Sequence, residues 1–173
     1  MSERAILLDE AAIARRVQEM AAEIAPRLKD GAVLVCLLTG GIWFAADLTR
    51  ALSRLGRDVA FDALWIASYG DGRESAGRCE VRADLQRPVG GRQVLIVDDV
   101  LDSGLSLAFA HAHLRNAGAS EALTAVFAAK PWPRPRPLEP DFVGWRAPGR
   151  FLVGYGMDDA GQGRGQPFIG AVD

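Results

Sequence analysis

Val94-Leu-Ile-Val97 is apolar without interruption, and the next residues, Asp98-Asp99-Val100-Leu101-Asp102-Ser103-Gly104-Leu105-Ser106, change character abruptly. A short run with no polar face needs cover on both sides, as an interior strand of a parallel sheet has. Ala32-Val-Leu-Val-Cys-Leu-Leu38 is a second such run, and Val59 to Trp65, Ala122 to Ala129 and Phe151 to Tyr155 read as further strands. Helical periods separate them. Ile13, Val17, Met20 and Ile24 share one face of a first helix, which Asp9 can cap and which ends across Pro26 to Gly31. Phe44, Leu48, Ala51 and Leu55 mark a second helix, and Leu105 to Ala117, closed by Gly118, a third. Strands alternating with helices predict an α/β fold with a mainly parallel central sheet flanked by helices. Ligands in such sheets bind beyond the carboxyl ends of the strands.

Bulk properties bound the rest. A chain of 173 residues suits one domain, expected to span 1–173. With 20 basic and 22 acidic side chains, net charge is −2, which argues against nucleic acid or an anionic membrane as the main partner. No apolar run reaches the length of a membrane span, and Cys36 and Cys79 lack CxxC spacing. A cytoplasmic protein with two reduced thiols is expected.

Three carboxylates within five residues, Asp98, Asp99 and Asp102, are costly at the end of a buried strand unless something uses their charge. A helix cap accounts for one of them. Ser103, Gly104 and Ser106 stand where amides and hydroxyls converge at a helix start, which suits an anion. A ribose 5-phosphate has the matching layout, with hydroxyls or a metal at one end and phosphate at the other. Other nucleotide devices are missing. There is no GxxxxGK[ST], and the GxGxG of Gly161, Gly163 and Gly165 follows no strand and opens no helix. His111 and His113, two apart on a helix, point to different faces and read as surface or packing residues.

VLIVDDVLDSGLS closely resembles the diphosphoribose-binding signature of type I phosphoribosyltransferases. The resemblance extends over nearly the whole chain to the hypoxanthine-guanine phosphoribosyltransferase branch. Leu37 to Asp47 is similar to that branch's pyrophosphate loop and following helix. Ser68-Tyr69 opens a polar stretch, SYGDGRESAG, that resembles its flexible catalytic loop, about 68–78. Lys130-Pro131 matches its purine-contacting lysine. Asp141 to Trp145 and Phe151 to Asp158 resemble its purine-binding segment, so a small hood is expected from about 130–173.

The resemblance implies transfer of a 5-phosphoribosyl group from phosphoribosyl pyrophosphate to hypoxanthine or guanine, in purine salvage, with Mg2+ as cofactor. Positioning and electrostatics should dominate such a reaction. The same resemblance gives Asp98 and Asp99 to the ribose hydroxyls, partly through magnesium, with Asp158 at a second magnesium. It makes Asp102 the general acid/base, and gives Ser103, Gly104, Leu105 and Ser106 to the 5-phosphate. Thr39, Gly40, Ser68, Tyr69 and Arg164 fall to pyrophosphate. Lys130, Phe151, the backbone of Leu152, and Asp158 fall to the purine. A homodimer or homotetramer is implied. Another base (xanthine or a pyrimidine) and a non-catalytic sensor of the sugar phosphate remain the alternatives.

The chain departs from the family at three places. Thr39 stands where a lysine is common, removing one possible subunit contact, and a cis peptide is expected between Leu38 and Thr39. Asp159 to Gly165 replaces an aromatic residue and more bulk. The proline-rich link from Pro131 to Pro140 differs in spacing.

Overall fold

The computed structural model describes residues 5–69 and 78–172. Its strands are β1 (Ala5–Leu8), β2 (Val33–Leu38), β3 (Ala60–Tyr69), β4 (Arg78–Ala83), β5 (Gln93–Leu101), β6 (Glu121–Ala129), β7 (Phe142–Arg146), β8 (Phe151–Val153) and β9 (Ile169–Val172). Its helices are α1 (Glu10–Ile24), α2 (Ile42–Arg54) and α3 (Leu105–Asn116).

Six strands form the main sheet in the order β4-β3-β2-β5-β6-β7, parallel except for β4. The unbroken apolar runs occupy its centre because alternate side chains meet different layers. Leu34, Cys36, Leu95 and Val97 pack into one core with α1 and α2, whereas Val33, Val35, Val94 and Ile96 pack with Leu107, Ala110 and Leu114 of α3. Asp9 caps α1 by accepting from the Ala12 N–H at 2.8 Å, and the helix buries Ile13, Val17, Met20 and Ile24 as their spacing predicts.

The small sheet is antiparallel, in the order β1-β9-β8. It draws its outer strand from the N-terminal region as well as two from the C-terminal segment. β7, although it lies within 130–173, edges the main sheet instead. No helix among the described residues is long and apolar enough to cross a membrane.

Two local expectations change. Ser68 and Tyr69 continue β3, opposite Cys79 and Arg78 of β4, because cross-strand pairing holds their backbone despite the polar sequence. The rest of the expected loop, 70–77, lies outside the described residues. Asp98 and Asp99 sit within β5, which runs on to Leu101, so the acids are part of the sheet's end and not of a loop beyond it.

Candidate active site

β5 and β6 stay paired to Leu101 and Ala129, and the Lys130 N–H then donates to the Leu101 carbonyl at 3.0 Å. The next residue of β5's chain, Asp102, and Lys130 therefore leave the sheet side by side. Lys130 Nζ lies 3.1 Å from Asp102 Oδ1, the lysine side chain mostly buried and the carboxylate about half exposed.

Beyond Asp102 the chain turns at Gly104, whose φ of 78° suits glycine, and α3 begins. Gly104 is the helix cap, and the side chain nearest the first turn is Ser103, whose Oγ accepts weakly from the Leu105 N–H at 3.4 Å, so Asp102 is not spent on that task. First-turn amides without helical partners face an anion readily. A cavity of about 240 Å3 is lined by Asp98, Asp102, Ser103, Gly104, Leu105 and Ser106. The acidic end and the glycine turn thus share one space.

Asp99 points elsewhere. A Cβ added to Gly40 would lie 1.9 Å from Asp99 Oδ2, so only glycine lets the 39–41 turn approach this carboxylate. The peptide between Leu38 and Thr39 is cis, as expected. Asp98 and Asp99 are adjacent, and each is turned into a local bond: Asp98 Oδ1 accepts from the Asp99 N–H at 3.0 Å and Asp99 Oδ1 from the Val100 N–H at 2.7 Å. Burial, and then the charge of Asp99, holds the Asp98 carboxyl well above the ordinary carboxylate range. Burial also raises Asp99, against the opposing pull of its hydrogen bonds and of Arg164. Asp99 is buried and Asp98 partly so, and two acids with this bias favour hydroxyl donors or a cation, which would stabilise their charged forms.

Asp158 does not join them. Among the described residues no three His, Cys, Asp or Glu side chains assemble at metal-binding distance. Asp158 instead pairs with Arg164 at 2.6 Å and accepts from the Gly161 N–H at 2.7 Å. Arg164 donates to the Gly156 carbonyl as well and acts on Asp99 electrostatically. It therefore links the expected metal ligands that are apart in space, through its own charge.

Residues that follow β8 approach this end of the main sheet. Phe151 on β8 is 52% exposed, its ring available for stacking, whereas Leu152 is buried and leaves only its backbone for a ligand. Tyr155 packs edge-on against Phe127, 5.0 Å between centroids, and donates from its hydroxyl to Asp47 Oδ2 at 2.8 Å. Gly156, at φ 99°, approaches so closely that a Cβ there would be 2.1 Å from the Gly40 carbonyl. The chain that follows β8 and the 39–41 turn are in contact at that point.

Sequence carries no direct mark of three contacts here: Asp47 with Tyr155, Gly156 against Gly40, and Arg136 with the Asp102 and Lys130 carbonyls. Gly154 and Gly156, spaced two apart around Tyr155, were the available signal for the close approach. Arg136 lies in the proline-rich link, which carries no periodicity.

The Phosphoribosyl transferase domain family matches residues 3–160. The chain is 38% identical to the hypoxanthine-guanine phosphoribosyltransferase of Aquifex aeolicus, over 97% of this chain and 94% of that protein. It is 34% identical to the hypoxanthine phosphoribosyltransferase of Escherichia coli, over 96% and 94% respectively. A solved hypoxanthine phosphoribosyl transferase of Trypanosoma cruzi superposes with a TM-score of 0.92 at 30% identity, covering 100% of this chain and 94% of that one.

Proposed function

The chain belongs to the hypoxanthine-guanine phosphoribosyltransferase family, and from that premise we propose how its residues divide the reaction. The enzyme transfers the 5-phosphoribosyl group of phosphoribosyl pyrophosphate to a 6-oxopurine, hypoxanthine or guanine, and releases pyrophosphate in purine salvage.

The observation that carries the assignment of roles is the Lys130–Asp102 pair. In a 6-oxopurine, O6 and N7 lie on one edge, so an ammonium and a carboxylate in contact match that edge. Lys130 donates to O6, which selects oxopurines over adenine. Asp102 holds and moves the proton at N7 as general acid/base. Phe151 stacks on the base, and the backbone of Leu152 reads its far edge. Ser103, Gly104, Leu105 and Ser106 bind the 5-phosphate through the first turn of α3. Thr39, Gly40, Ser68, Tyr69 and Arg164 address pyrophosphate, with Ser68 and Tyr69 helping to exclude water.

Asp98 and Asp99 suit magnesium, since adjacent carboxylates, one buried and one partly buried, are hard oxygen donors whose charge needs a partner. Asp158 is the second-site candidate once Arg164 turns to pyrophosphate. When bound, the ion would neutralise charge on the donor's leaving group. We read 1–173 as one domain with its catalytic loop about 68–78 and its hood about 130–173, assembled as a homodimer or homotetramer in the cytoplasm.

A competition assay over hypoxanthine, guanine, xanthine, adenine and uracil, with magnesium and phosphoribosyl pyrophosphate, tests this reading. Turnover of hypoxanthine or guanine above adenine is expected. Preference for xanthine or uracil would reassign the base, and donor binding without turnover of any base would favour the sensor.

A further inference from the structure

Arg136 stands in the link between β6 and β7, flanked by Pro135 and Pro137. Its side chain is 12% exposed, unusual for an arginine in a segment of this composition. Its Nε donates to the Asp102 carbonyl at 2.8 Å and its Nη2 to the Lys130 carbonyl. Glu139 lies 3.5 Å from Nη1. The stem runs beside Gly104, where an added Cβ would meet Arg136 Cδ at 3.4 Å.

These contacts fall at one place in the fold. The last ladder bond between the two strands' chains is Lys130 N–H to the Leu101 carbonyl. Past it the chains diverge, and the guanidinium spans the gap between the next two carbonyls. A planar fork of N–H donors fits that task, because both acceptors are fixed and bonds to a charged donor are strong. The prolines restrict φ at 135 and 137, and Pro137 biases Arg136 itself to extended backbone. The strap is thereby presented with little conformational freedom to lose.

We propose that Arg136 is a positioning residue, which ties the main chains of Asp102 and Lys130 together so that their side chains meet one purine edge at the mouth of the phosphate turn. The inference rests on the roles given above to Asp102 and Lys130. Misplacing reacting groups by about 1 Å can cost about 10²-fold in rate, so the tie bears on the chemical step and not only on folding.

The test compares the full-length wild type with Arg136→Met, Arg136→Lys and Asp102→Asn in single-turnover and steady-state reactions with hypoxanthine, alongside melting temperatures. Met keeps the stem beside Gly104 but removes every donor, and Lys keeps the charge but not the fork. Arg136→Met should slow the single-turnover step about 10²-fold and raise purine KM, with donor KM within about twofold of wild type. Arg136→Lys should recover the melting temperature and only part of the rate. A Met variant that melts early yet reacts at the wild-type rate per folded molecule would overturn the proposal. Should Met fail to fold, a Lys variant at full wild-type rate overturns it instead. Undiminished turnover in Asp102→Asn would sink the underlying role of Asp102, an outcome distinct from either result at Arg136.

Discussion

The ammonium of Lys130 and the carboxylate of Asp102 lie 3.1 Å apart at the ends of neighbouring strands, and the pairing of Leu101 with Ala129 one step earlier puts them there. Register, not sequence proximity, brings them together.

Asp102→Asn keeps the size of the side chain and removes its basicity. Turnover should fall about 10²–10⁴-fold while donor binding stays nearly intact. Steady-state kinetics and isothermal titration with phosphoribosyl pyrophosphate would measure both, and equal rates for variant and wild type would remove Asp102 from the mechanism.

Lys130→Ala leaves Asp102 without its partner and the purine oxygen without its donor. We expect a raised purine KM and a weaker preference for oxopurines over adenine, with donor KM little changed. An unchanged ratio of hypoxanthine to adenine turnover would contradict the role given to this lysine.

Gly40→Ala would set a methyl against Asp99 Oδ2 and Cγ, which stand 1.9 and 2.5 Å from the added atom. Either the carboxylate or the turn must move. With a displacement of about 1 Å, a loss of about 10²-fold in kcat/KM for the donor is expected. Wild-type donor kinetics in this variant would mean the turn relaxes without consequence.

Tyr155→Phe deletes one hydrogen bond, to Asp47, and leaves the ring against Phe127. Asp47 is partly exposed and can turn to water, so the cost should be about 1 kcal/mol. For a chain of this size that lowers Tm by about 2–4 °C. Calorimetry checks this, and an unmoved Tm would show that the bond contributes nothing net.

Glu121 is held below its ordinary carboxyl value of 4.5 by its hydrogen bonds to Lys29 and Gln93. A depressed folded value means the contribution to stability is complete above that ordinary value and lost as pH falls through the lower, folded one. Glu121→Gln should therefore destabilise near neutrality and converge with wild type in acid. The difference is small, because the carboxylate is 36% exposed and its lysine partner more so, and solvent screens the pair. Urea titrations across acidic and neutral pH would reveal a constant gap if the linkage is absent.

The parts of this fold legible in sequence are those whose residues answer to local rules. Val33–Leu38 and Gln93–Leu101 are covered on both faces, so their runs are apolar throughout, and α1 shows its buried stripe at helical spacing. The acids and glycine turn were visible because no solvated loop needs that many carboxylates at a strand end. β4 was not legible: Arg-Cys-Glu-Val-Arg-Ala is an edge strand, polar on its open side. Ser68 and Tyr69 read as loop from their polar surroundings, and pairing with β4 makes them strand. Asp47 with Tyr155, and Arg136 with two carbonyls, depend on segments far apart in the chain. A glycine count can suggest a close approach, but it does not say to what.

The small sheet has its latest strand in the middle: β9 separates β1 from β8. During synthesis the earliest strand and the one bearing Phe151 both wait for residues 169–172 before either has a neighbour to pair with. The small sheet is consequently the final piece to close, after the main sheet already has all of its strands, so a nascent chain can bring Asp102 and Lys130 together before Phe151 has a strand partner.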